Sequence, residues 1–413
     1  MGSRTYHDPL HGAIRLDRAL PAEALVIDLI DTAPFQRLRR IRQLGPAYLT
    51  FHGAESSRFT HSLGVLQLAR QALTALQQLE PALGEQAGVL YAAALLHDVG
   101  HGPLSHSGEE MFGLKHERWS GRLIREHADL RGPLEAFAPG TADAVADLLE
   151  HGRAEHAAIK ALVSSQLDCD RLDYLLRDSY STGTSYGSLD LERILASFTL
   201  APDGGLAIHP KGLMAVEHYL VVRNLMYRSV YNHRLNVVCN WLLSRCIAEA
   251  RQLGPAQVWA DAVMERWLWQ PQQLDLPTFL GNDDIRTGYH LQRWRESGPP
   301  ELADPCRRLL ERRLLKATAV SHLSPGRRLE LLAEARRLAE VQGFCAEVSC
   351  GLQQRQSRGY HAYKGGLRLW DGERLEALEQ RSALVQSLTA PMEWAWLIHP
   401  AEVAPKLRQL ISD

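Results

Sequence analysis

The segment that most restricts the fold is residues 85–98, EQAGVLYAAALLHD, which is apolar over almost its whole length. Its length suits a helix, and its apolar run is far too short to span a bilayer. A helix that is apolar on every side must be covered on every side, so it belongs at the centre of a domain. The segment therefore predicts a fold in which other helices surround it.

Most of the remaining chain also has helical periodicity. Two short helices are expected in 22–45, joined near Ala33–Pro34 and ended by Gly45, and another helix is expected at 61–80. The Asp-Gly-Gly turn within 198–210 predicts a β-hairpin. Further helices are expected at 116–127, 141–150, 154–163 and 166–179, and a long one from about Leu213 to about Gln252.

The chain has 413 residues, which is too long for one hydrophobic core. The sequence changes character after Gly254–Pro255: Arg-rich helical segments come first, followed by expected strands and a last helix over 401–411. These strands are expected at 344–352, 366–370 and 393–399. We therefore expect a mainly α fold, with a helical catalytic domain over 1–255 and a small α+β region over 256–413 that serves assembly or regulation.

Charge and cysteine content narrow the functional class. With 46 basic and 48 acidic residues, the net charge is −2, so a strongly basic nucleic-acid-binding surface is not indicated. The six cysteines form no CxxC pair, which favours scattered reduced thiols over a disulfide framework or a zinc site. The N-terminus has no apolar signal segment. We expect a cytoplasmic protein that does not act in a membrane.

Three histidines and an aspartate crowd the stretch LLHDVGHGPLSH at 95–106. His97 and Asp98 can share one metal ion only at a helix end, and the glycines that follow indicate such an end. His61 and Asp170 bring the set to two nitrogen and two oxygen donors. An HD dipeptide alone is common, and a single histidine on an apolar face is more often structural than a ligand. The ordered set is what favours a metal site.

The ordered motifs of this chain resemble the HD-domain phosphohydrolases, and in particular the SAM-and-HD-domain dNTP triphosphohydrolases and their bacterial relatives. The similarity is strong over roughly residues 1–250, and the later stretches YHAYKGGLRLWD and EWAWLIHP are more weakly similar. The motifs are DPLHG, IDTAPFQRLRRIRQLG, SSRFTHSLGV, LLHDVGHGPLSH, HE, DCDRLDYLLRDS and RNLMYRSVYNHR, running from Asp8 to Arg234.

This resemblance implies a helical HD-domain core, a divalent metal ion and a chemical role for the histidines. The metal could be Mn, Mg, Fe, Co, Ni or Zn, because two His and two Asp ligands suit each of these in some degree. The implied metal ligands are His61, His97, Asp98 and Asp170. The histidines implied at the phosphates are His101, His106 and His116, with His106, backed by Glu109, as the group that protonates the leaving 5′-oxygen.

The resemblance also implies contacts with a deoxynucleotide. Phosphate binding would fall to Arg58, Arg171 and Arg223, and the 3′-hydroxyl to Gln43 and Asp178. Tyr174 and Tyr231 would exclude a 2′-hydroxyl, and Leu44 would pack on the sugar. Helical spacing supports part of this set, because Asp170, Tyr174 and Asp178 share one helix face. Each arginine could instead be a solvated surface residue, and Tyr174 a core aromatic.

Nucleotide activation and assembly into dimers or tetramers are further properties that the resemblance implies. The residues that match the family's activating guanine-nucleotide sites are Asp31, Gln36, Arg39, His233 and Arg234. The basic run RLRRIR at 37–42 also fits a solvated helix face, which is our expectation for Arg37, Arg40 and Arg42.

Three functions compete at this point. The first is a metal-dependent dNTP triphosphohydrolase. The second keeps the metal site but acts on a ribonucleotide, a modified nucleotide or a phosphomonoester, because a fold and a metal centre do not define the substrate. The third is a non-catalytic nucleotide sensor or single-strand nucleic-acid binder. The net charge of −2 and the complete ligand set argue against the third.

Overall fold

The computed structural model describes residues 2–362 and 366–412. The chain begins with an antiparallel hairpin that the sequence pattern did not predict, and two short helices follow it. The hairpin turns at Gly12, whose φ of 68° lies in the left-handed region that glycine tolerates. These elements are β1 (Arg4–Asp8), β2 (Gly12–Leu16), α1 (Pro21–Ile30) and α2 (Ala33–Arg37).

The apolar segment is the central helix, as predicted. It forms α4 (Ala87–Leu96), and every side chain from Leu90 to Leu96 is buried. It packs against α1, α3 (Arg58–Gln77) and a later helix, α8 (Thr141–His151). This arrangement places the end of α4, where His97 and Asp98 lie, inside the helical domain.

The helices predicted between α4 and the hairpin, at 116–127, 141–150, 154–163 and 166–179, are confirmed to within three residues at either end. The sequence pattern missed the helices over 106–112, 128–137 and 191–196, and Pro133 lies inside the second of these. The hydroxyl of Ser57 caps α3, and the Asp168 carboxylate caps α10 by accepting a hydrogen bond from the Arg171 amide at 2.8 Å. The remaining helices are α5 (His106–Phe112), α6 (His116–Glu126), α7 (Ala128–Phe137), α9 (Ala157–Val163), α10 (Cys169–Thr182) and α11 (Leu191–Ala196).

The predicted hairpin is confirmed as β3 (Phe198–Leu200) and β4 (Leu206–Ile208). The single long helix after it was wrong. The chain instead forms α12 (Leu213–Met226), a π-helical turn over Tyr227–Tyr231, and α13 (Arg234–Leu253). The Asn232 amide donates to the Tyr227 carbonyl at 3.0 Å, which is the five-residue closure of a π turn, and His233 then caps α13.

The chain after α13 continues as helices and short strands. The predicted strand at 344–352 was wrong in its first part, since residues 346–349 form a helical turn and β6 begins at Gly351. The strand predicted at 366–370 begins at Arg368, and Tyr363–Gly365 of the weaker motif lie outside the described residues. The helices are α14 (Ala262–Trp269), α15 (Leu276–Leu280), α16 (Asp284–Ser297), α17 (Pro300–Leu310), α18 (Pro325–Val341), α19 (Ala346–Ser349), α20 (Leu378–Arg381), α21 (Ala383–Ser387) and α22 (Ala404–Ser412).

Two small sheets complete the fold. One has the order β3-β4-β7-β8, and the other has the order β5-β9-β6 with all neighbours antiparallel. The strand predicted at 393–399 is confirmed within β9. The strands are β5 (Lys316–Ala319), β6 (Gly351–Arg358), β7 (Arg368–Trp370), β8 (Leu375–Ala377) and β9 (Pro391–His399).

The expected mainly α fold is confirmed. One large hydrophobic core takes residues from Ile14 to Ile398, and a second small core lies around Val320, Leu331 and Leu407. The proposed division of the chain near residue 255 stays a prediction. Within the described residues, no helix combines the length and the hydropathy needed to cross a bilayer.

Candidate active site

Three helices bring the four predicted metal ligands together. His61 lies in the first turn of α3, Asp170 in the first turn of α10, and His97 and Asp98 follow the last residue of α4. Nε2 of His61 is 3.0 Å from Oδ1 of Asp170 and 3.2 Å from Nε2 of His97. Oδ2 of Asp98 lies 3.4 Å from Nε2 of His97 and 3.6 Å from Nε2 of His61. The helix end at His97 therefore lets adjacent side chains reach one point.

These separations fit donors around a single ion. Ligands about 2.1 Å from a metal lie about 3.0 Å apart at right angles and about 3.4 Å apart in a tetrahedron. The measured separations run from 3.0 Å to 3.7 Å between His97 Nε2 and Asp170 Oδ1. Nδ1 of His97 faces the Ala94 carbonyl at 2.9 Å, which leaves Nε2 for the cluster. The donor set could hold a divalent cation.

Arg58 belongs to this cluster rather than to the solvent. Only 4% of it is exposed, and its Nη1 donates to Oδ2 of Asp98 at 2.5 Å. The same guanidinium donates to the Ser105 hydroxyl at 2.9 Å and to the Gln43 carbonyl at 3.3 Å. Burial raises the pKa of Asp98, but Arg58 and the neighbouring histidines outweigh it and hold that pKa well below its usual range. The Asp98 carboxylate is thus ionised and oriented.

The other three histidines form a second group beside the first. The rings of His101 and His116 stack at 4.0 Å, and His106 lies edge-on to His101 at 4.9 Å. The carboxylate of Glu109 lies near Nδ1 of each of the three histidines. Its closest partner is His116, and its oxygens lie 3.4 Å from Nδ1 of His106 and 3.5 Å from Nδ1 of His101. Burial raises the pKa of Glu109, but hydrogen bonds from His106 and His116 hold it well below its usual range. Glu109 is therefore a shared acceptor rather than a partner of His106 alone.

Exposure separates the three histidines of this group. His101 is fully buried, and burial together with Arg58 and His116 lowers its pKa well below its usual range. His106 has 67% of its side chain exposed. A buried neutral imidazole beside an exposed one suits a site in which His106 meets an incoming ligand.

Gly100 sets the spacing between the two groups. A Cβ at this position would lie 2.2 Å from the Ser120 amide nitrogen and 2.3 Å from the His116 carbonyl oxygen. The Ser120 hydroxyl accepts from the Gly100 amide and donates to the His97 carbonyl, each at 2.9 Å. The absence of a side chain at Gly100 thus lets the start of α6 pack directly against the segment that follows His97 and Asp98.

The segment before His106 has an unusual backbone that a distant element holds. Leu104 and Ser105 have φ values of 62° and 54°, in the region that residues other than glycine rarely adopt. Asp284 at the start of α16 accepts from the Leu104 amide at 2.7 Å and from the Arg42 amide at 3.0 Å. The sequence analysis missed Asp284, because no local motif marks it.

The expectation of a solvated helix face was wrong for Arg37, whereas Arg40 and Arg42 keep 45% and 34% of their side chains exposed. Arg37 is 2% exposed and donates to the His101 carbonyl at 2.8 Å and to the Asn282 carbonyl. Arg40 pairs with Asp283 at 2.5 Å, and Arg42 pairs with Glu55. Arg37 and Arg40 thus join the site to the α15–α16 connection, where Asn282 and Asp283 lie.

A cavity of about 780 Å³ is lined by members of both groups, and its volume is within the usual size range of ligand sites. Tyr231 donates to Oδ2 of Asp178 at 2.8 Å, and its ring lies 6.1 Å from that of Tyr174. The predicted site residues that line the cavity are Gln43, Leu44, Arg58, His97, Asp98, His106, Glu109, His116, Asp170, Arg171, Tyr174, Asp178 and Tyr231.

Three buried acceptors in the cavity wall lack a partner among the described residues: Oε1 of Gln43, Oδ1 of Asp178 and Oδ1 of Asn236. Burial raises the pKa of Asp178 to about 7, although Tyr231 and nearby cations lower it. Buried acceptors without donors are rare in native proteins, so each is a position for a donor on a ligand.

Eight predicted residues do not line the cavity: the fully buried His61 and His101, and Asp31, Gln36, Arg39, Arg223, His233 and Arg234. Arg223 is buried behind Tyr227, whose ring centre is 5.8 Å away, and its Nε and Nη1 have no hydrogen-bond partner among the described residues. Arg39 donates to Gln36 at 2.8 Å, and Asp31 pairs with Arg4 at 2.6 Å, so these lie at the chain's N-terminal elements. His233 and Arg234 begin α13.

Family models match two adjacent parts of the chain. The HD domain matches residues 58–178, which contain all four metal-cluster residues, and the HD associated region matches residues 189–347. Asp284, which holds the segment before His106, thus lies in the HD associated region.

Relatives cover the chain to different extents. The Bacillus subtilis protein YwfO is 33% identical over 396 residues, covering 94% of this chain and 89% of YwfO. The dNTP triphosphohydrolase SAMHD1 of Danio rerio is 29% identical over 286 residues, covering 60% of this chain and 45% of that protein. This chain therefore spans less than half the length of that SAMHD1. A phosphohydrolase structure from Bacteroides thetaiotaomicron superposes with a TM-score of 0.83 at 25% identity, covering 96% of this chain and 99% of that one.

The fold, the cluster and these relatives agree. HD domains bind divalent metals, and the His and Asp donors described above are compatible with one such ion as the cofactor. The match to YwfO extends over nearly the whole of both chains. This chain belongs to the HD-domain phosphohydrolase family, with an HD domain followed by an HD associated region.

Proposed function

We propose that this protein is a dNTP triphosphohydrolase, which converts a dNTP and water into a deoxynucleoside and tripolyphosphate. The observation that carries the proposal is one cavity in which a metal-binding cluster faces the unpartnered acceptors of Gln43 and Asp178. A sugar hydroxyl is the kind of donor that these acceptors lack. The similarity to SAMHD1 of Danio rerio, which bears that activity in its name, supports the same reaction.

Different residues of the site would carry out different parts of this reaction. A divalent ion held by His61, His97, Asp98 and Asp170 would lower the pKa of water and neutralise phosphate charge. In the proposed step the water would lose a proton to the solvent, its oxygen would bond to the α-phosphorus, and the bond from phosphorus to the 5′-oxygen would break. His106 would give a proton to the 5′-oxygen, because it is the exposed imidazole beside the cluster and Glu109 lies 3.4 Å from its Nδ1.

Substrate selection would come from the opposite wall. The hydrogen bond between Tyr231 and Asp178 fixes the phenol ring, and Tyr174 lies edge-on to it. The two tyrosine rings would therefore form a rigid wall that excludes a 2′-hydroxyl. Leu44 also lines the cavity and would provide the apolar surface for the sugar. Arg58 and Arg171 line the same cavity and would face phosphates, whereas Arg223 would need Tyr227 to move.

Activation and assembly belong to the same proposal. An activating guanine nucleotide would bind outside the cavity, near Asp31, Gln36 and Arg39 and at the start of α13, where His233 and Arg234 lie. A dimer or tetramer acting in the cytoplasm would be the working form, with the chain after residue 255 contributing to assembly.

One assay tests the proposed function. The protein is incubated with Mn²⁺ and each dNTP and NTP, with and without GTP, and the products are separated. Deoxynucleoside with tripolyphosphate is the expected result. Orthophosphate or pyrophosphate from another substrate would instead assign a different phosphohydrolase reaction. Tight binding without turnover of any nucleotide would contradict catalysis.

A further inference from the structure

His61 has a second contact, on the side of its ring that faces away from the metal cluster. Its Nδ1 lies 2.7 Å from Oδ2 of Asp173, and both residues are fully buried. Asp170 and Asp173 are three residues apart on α10, so they lie on one face of that helix. The helix thus presents one carboxylate to each side of the same imidazole.

The Asp173 carboxylate is held from two other directions. Arg177 donates to it through Nε at 2.8 Å and Nη2 at 3.0 Å, a bidentate pair, and also donates to Asp8 at 2.9 Å. Nε2 of His11 lies 2.6 Å from Oδ1 of Asp173. Asp8 ends β1 and His11 lies in the turn before β2, so the N-terminal hairpin supplies two residues of this network.

Gly64 on α3 gives independent evidence that the chain is built for this contact. It lies one turn after His61, and a Cβ at this position would be 1.9 Å from Oδ1 of Asp173 and 2.6 Å from Nη2 of Arg177. Only a residue without a side chain lets the carboxylate pass beneath α3 to reach His61.

We propose that Asp173 is a positioning residue for the metal. It accepts the Nδ1 proton of His61, so that Nε2 offers its lone pair to the ion, and the hairpin residues His11 and Asp8 keep Asp173 in place, the latter through Arg177. A carboxylate behind a ligating histidine fixes its tautomer and ring orientation. The proposal rests on His61 as a metal ligand, and it does not depend on which phosphate ester is the substrate.

The test measures Mn²⁺ affinity of the full chain by isothermal titration calorimetry. Asp173→Asn should weaken binding about 10- to 100-fold, the usual range for such a partner. His11→Ala should weaken it in the same direction while it leaves the Asp173 carboxylate and Arg177 intact. The second variant is needed because Asp173→Asn leaves the buried Arg177 less well paired and can lower the amount of folded protein.

Asp261→Asn is the matched control. Asp261 is likewise a carboxylate beside an arginine and a histidine, with Arg286 at 2.5 Å and His290 at 3.8 Å, although 30% of its side chain is exposed, and it does not line the cavity. It should lower stability without changing Mn²⁺ affinity. Wild-type affinity in a folded His11→Ala or Asp173→Asn variant would overturn the proposal. If affinity falls as expected but the wild-type protein hydrolyses no nucleotide, the positioning role stands and only the proposed substrate is wrong.

Discussion

Asp284 accepts a hydrogen bond from the Leu104 amide at 2.7 Å, although 180 residues separate them along the chain. Through this bond the HD associated region holds the left-handed backbone that leads into His106. The His106 side chain therefore depends on a part of the chain that lies outside the HD domain.

The first prediction concerns this bond. Asp284→Ala leaves the Leu104 and Arg42 amides without their acceptor, at a cost of about 1–3 kcal/mol for each buried donor. We expect a lower free energy of unfolding, and a fall in turnover of about 100-fold if His106 moves by about 1 Å. Asp283→Ala is the control, because Asp283 caps α16 and pairs with Arg40 without contacting Leu104. Equal turnover in the two variants would contradict the role of Asp284.

The second prediction concerns the metal ligands. His97→Ala should abolish both metal retention and turnover, because it removes a nitrogen donor that lies 3.2 Å from the corresponding atom of His61. Asp98→Ala should do the same, with an added stability loss of about 3–5 kcal/mol from the buried Arg58 left unpaired. Metal content by mass spectrometry and product release by chromatography check both variants. Full metal content with full activity in either one would refute the ligand assignment.

The third prediction separates proton transfer from metal binding. If the ion is held by His61, His97, Asp98 and Asp170, and not by the second group of donors around Glu109 to which His106 belongs, His106→Ala should keep the metal. It should lower kcat by about 10²- to 10⁴-fold, the range for a general acid. His151→Ala is the control, since that side chain is 51% exposed and lies outside the cavity. A His106→Ala protein that turns over at the wild-type rate would exclude the acid role.

The fourth prediction follows from the buried Asp178. Its pKa is raised to about 7 in the folded chain, against about 3.9 in an unfolded one, so the folded state binds its proton more tightly. The stability that this proton contributes is fully present below about pH 4 and is lost as the pH rises to about 7. Asp178→Asn removes that dependence.

We therefore expect the free energy of unfolding of the variant to rise relative to that of the wild type, by up to the order of 4 kcal/mol, between pH 4 and pH 8. Denaturant unfolding of chelator-treated proteins at several pH values measures the difference, because a bound cation would also stabilise the carboxylate. A difference in unfolding free energy that stays constant with pH would show that Asp178 is ionised throughout.

Local pattern was enough to predict part of this molecule. The helices around α4 followed from apolar periodicity, since each buries one continuous stripe of its own residues. The grouping of His61, His97, Asp98 and Asp170 followed from motif order, and the structure brings these residues within hydrogen-bonding range of one another. Their roles as ligands stay a prediction for the experiments above.

Other features depend on partners far along the chain and left no local signal. Arg37 has the sequence context of a surface residue, but it is buried because the carbonyls of His101 and Asn282 accept its donors. The break after α12 was equally hidden, because Tyr227–Tyr231 has ordinary helical composition and its tertiary contacts, such as that of Tyr231 with Asp178, leave no local signal.

The close approach at Gly100 has a consequence for how such an enzyme can diversify. The predicted metal ligands lie on α3 and α10 and at the end of α4, whereas His106 and His116 begin α5 and α6. The start of α6 meets the segment after α4 through a contact at Gly100 that leaves no room for a methyl group. We therefore expect substitutions in α5 and α6 that spare Ser120 to alter His106 and His116 without moving the helices that position the predicted metal ligands. The predicted metal ligands and these two histidines thus lie on separate sets of helices, which meet at Gly100.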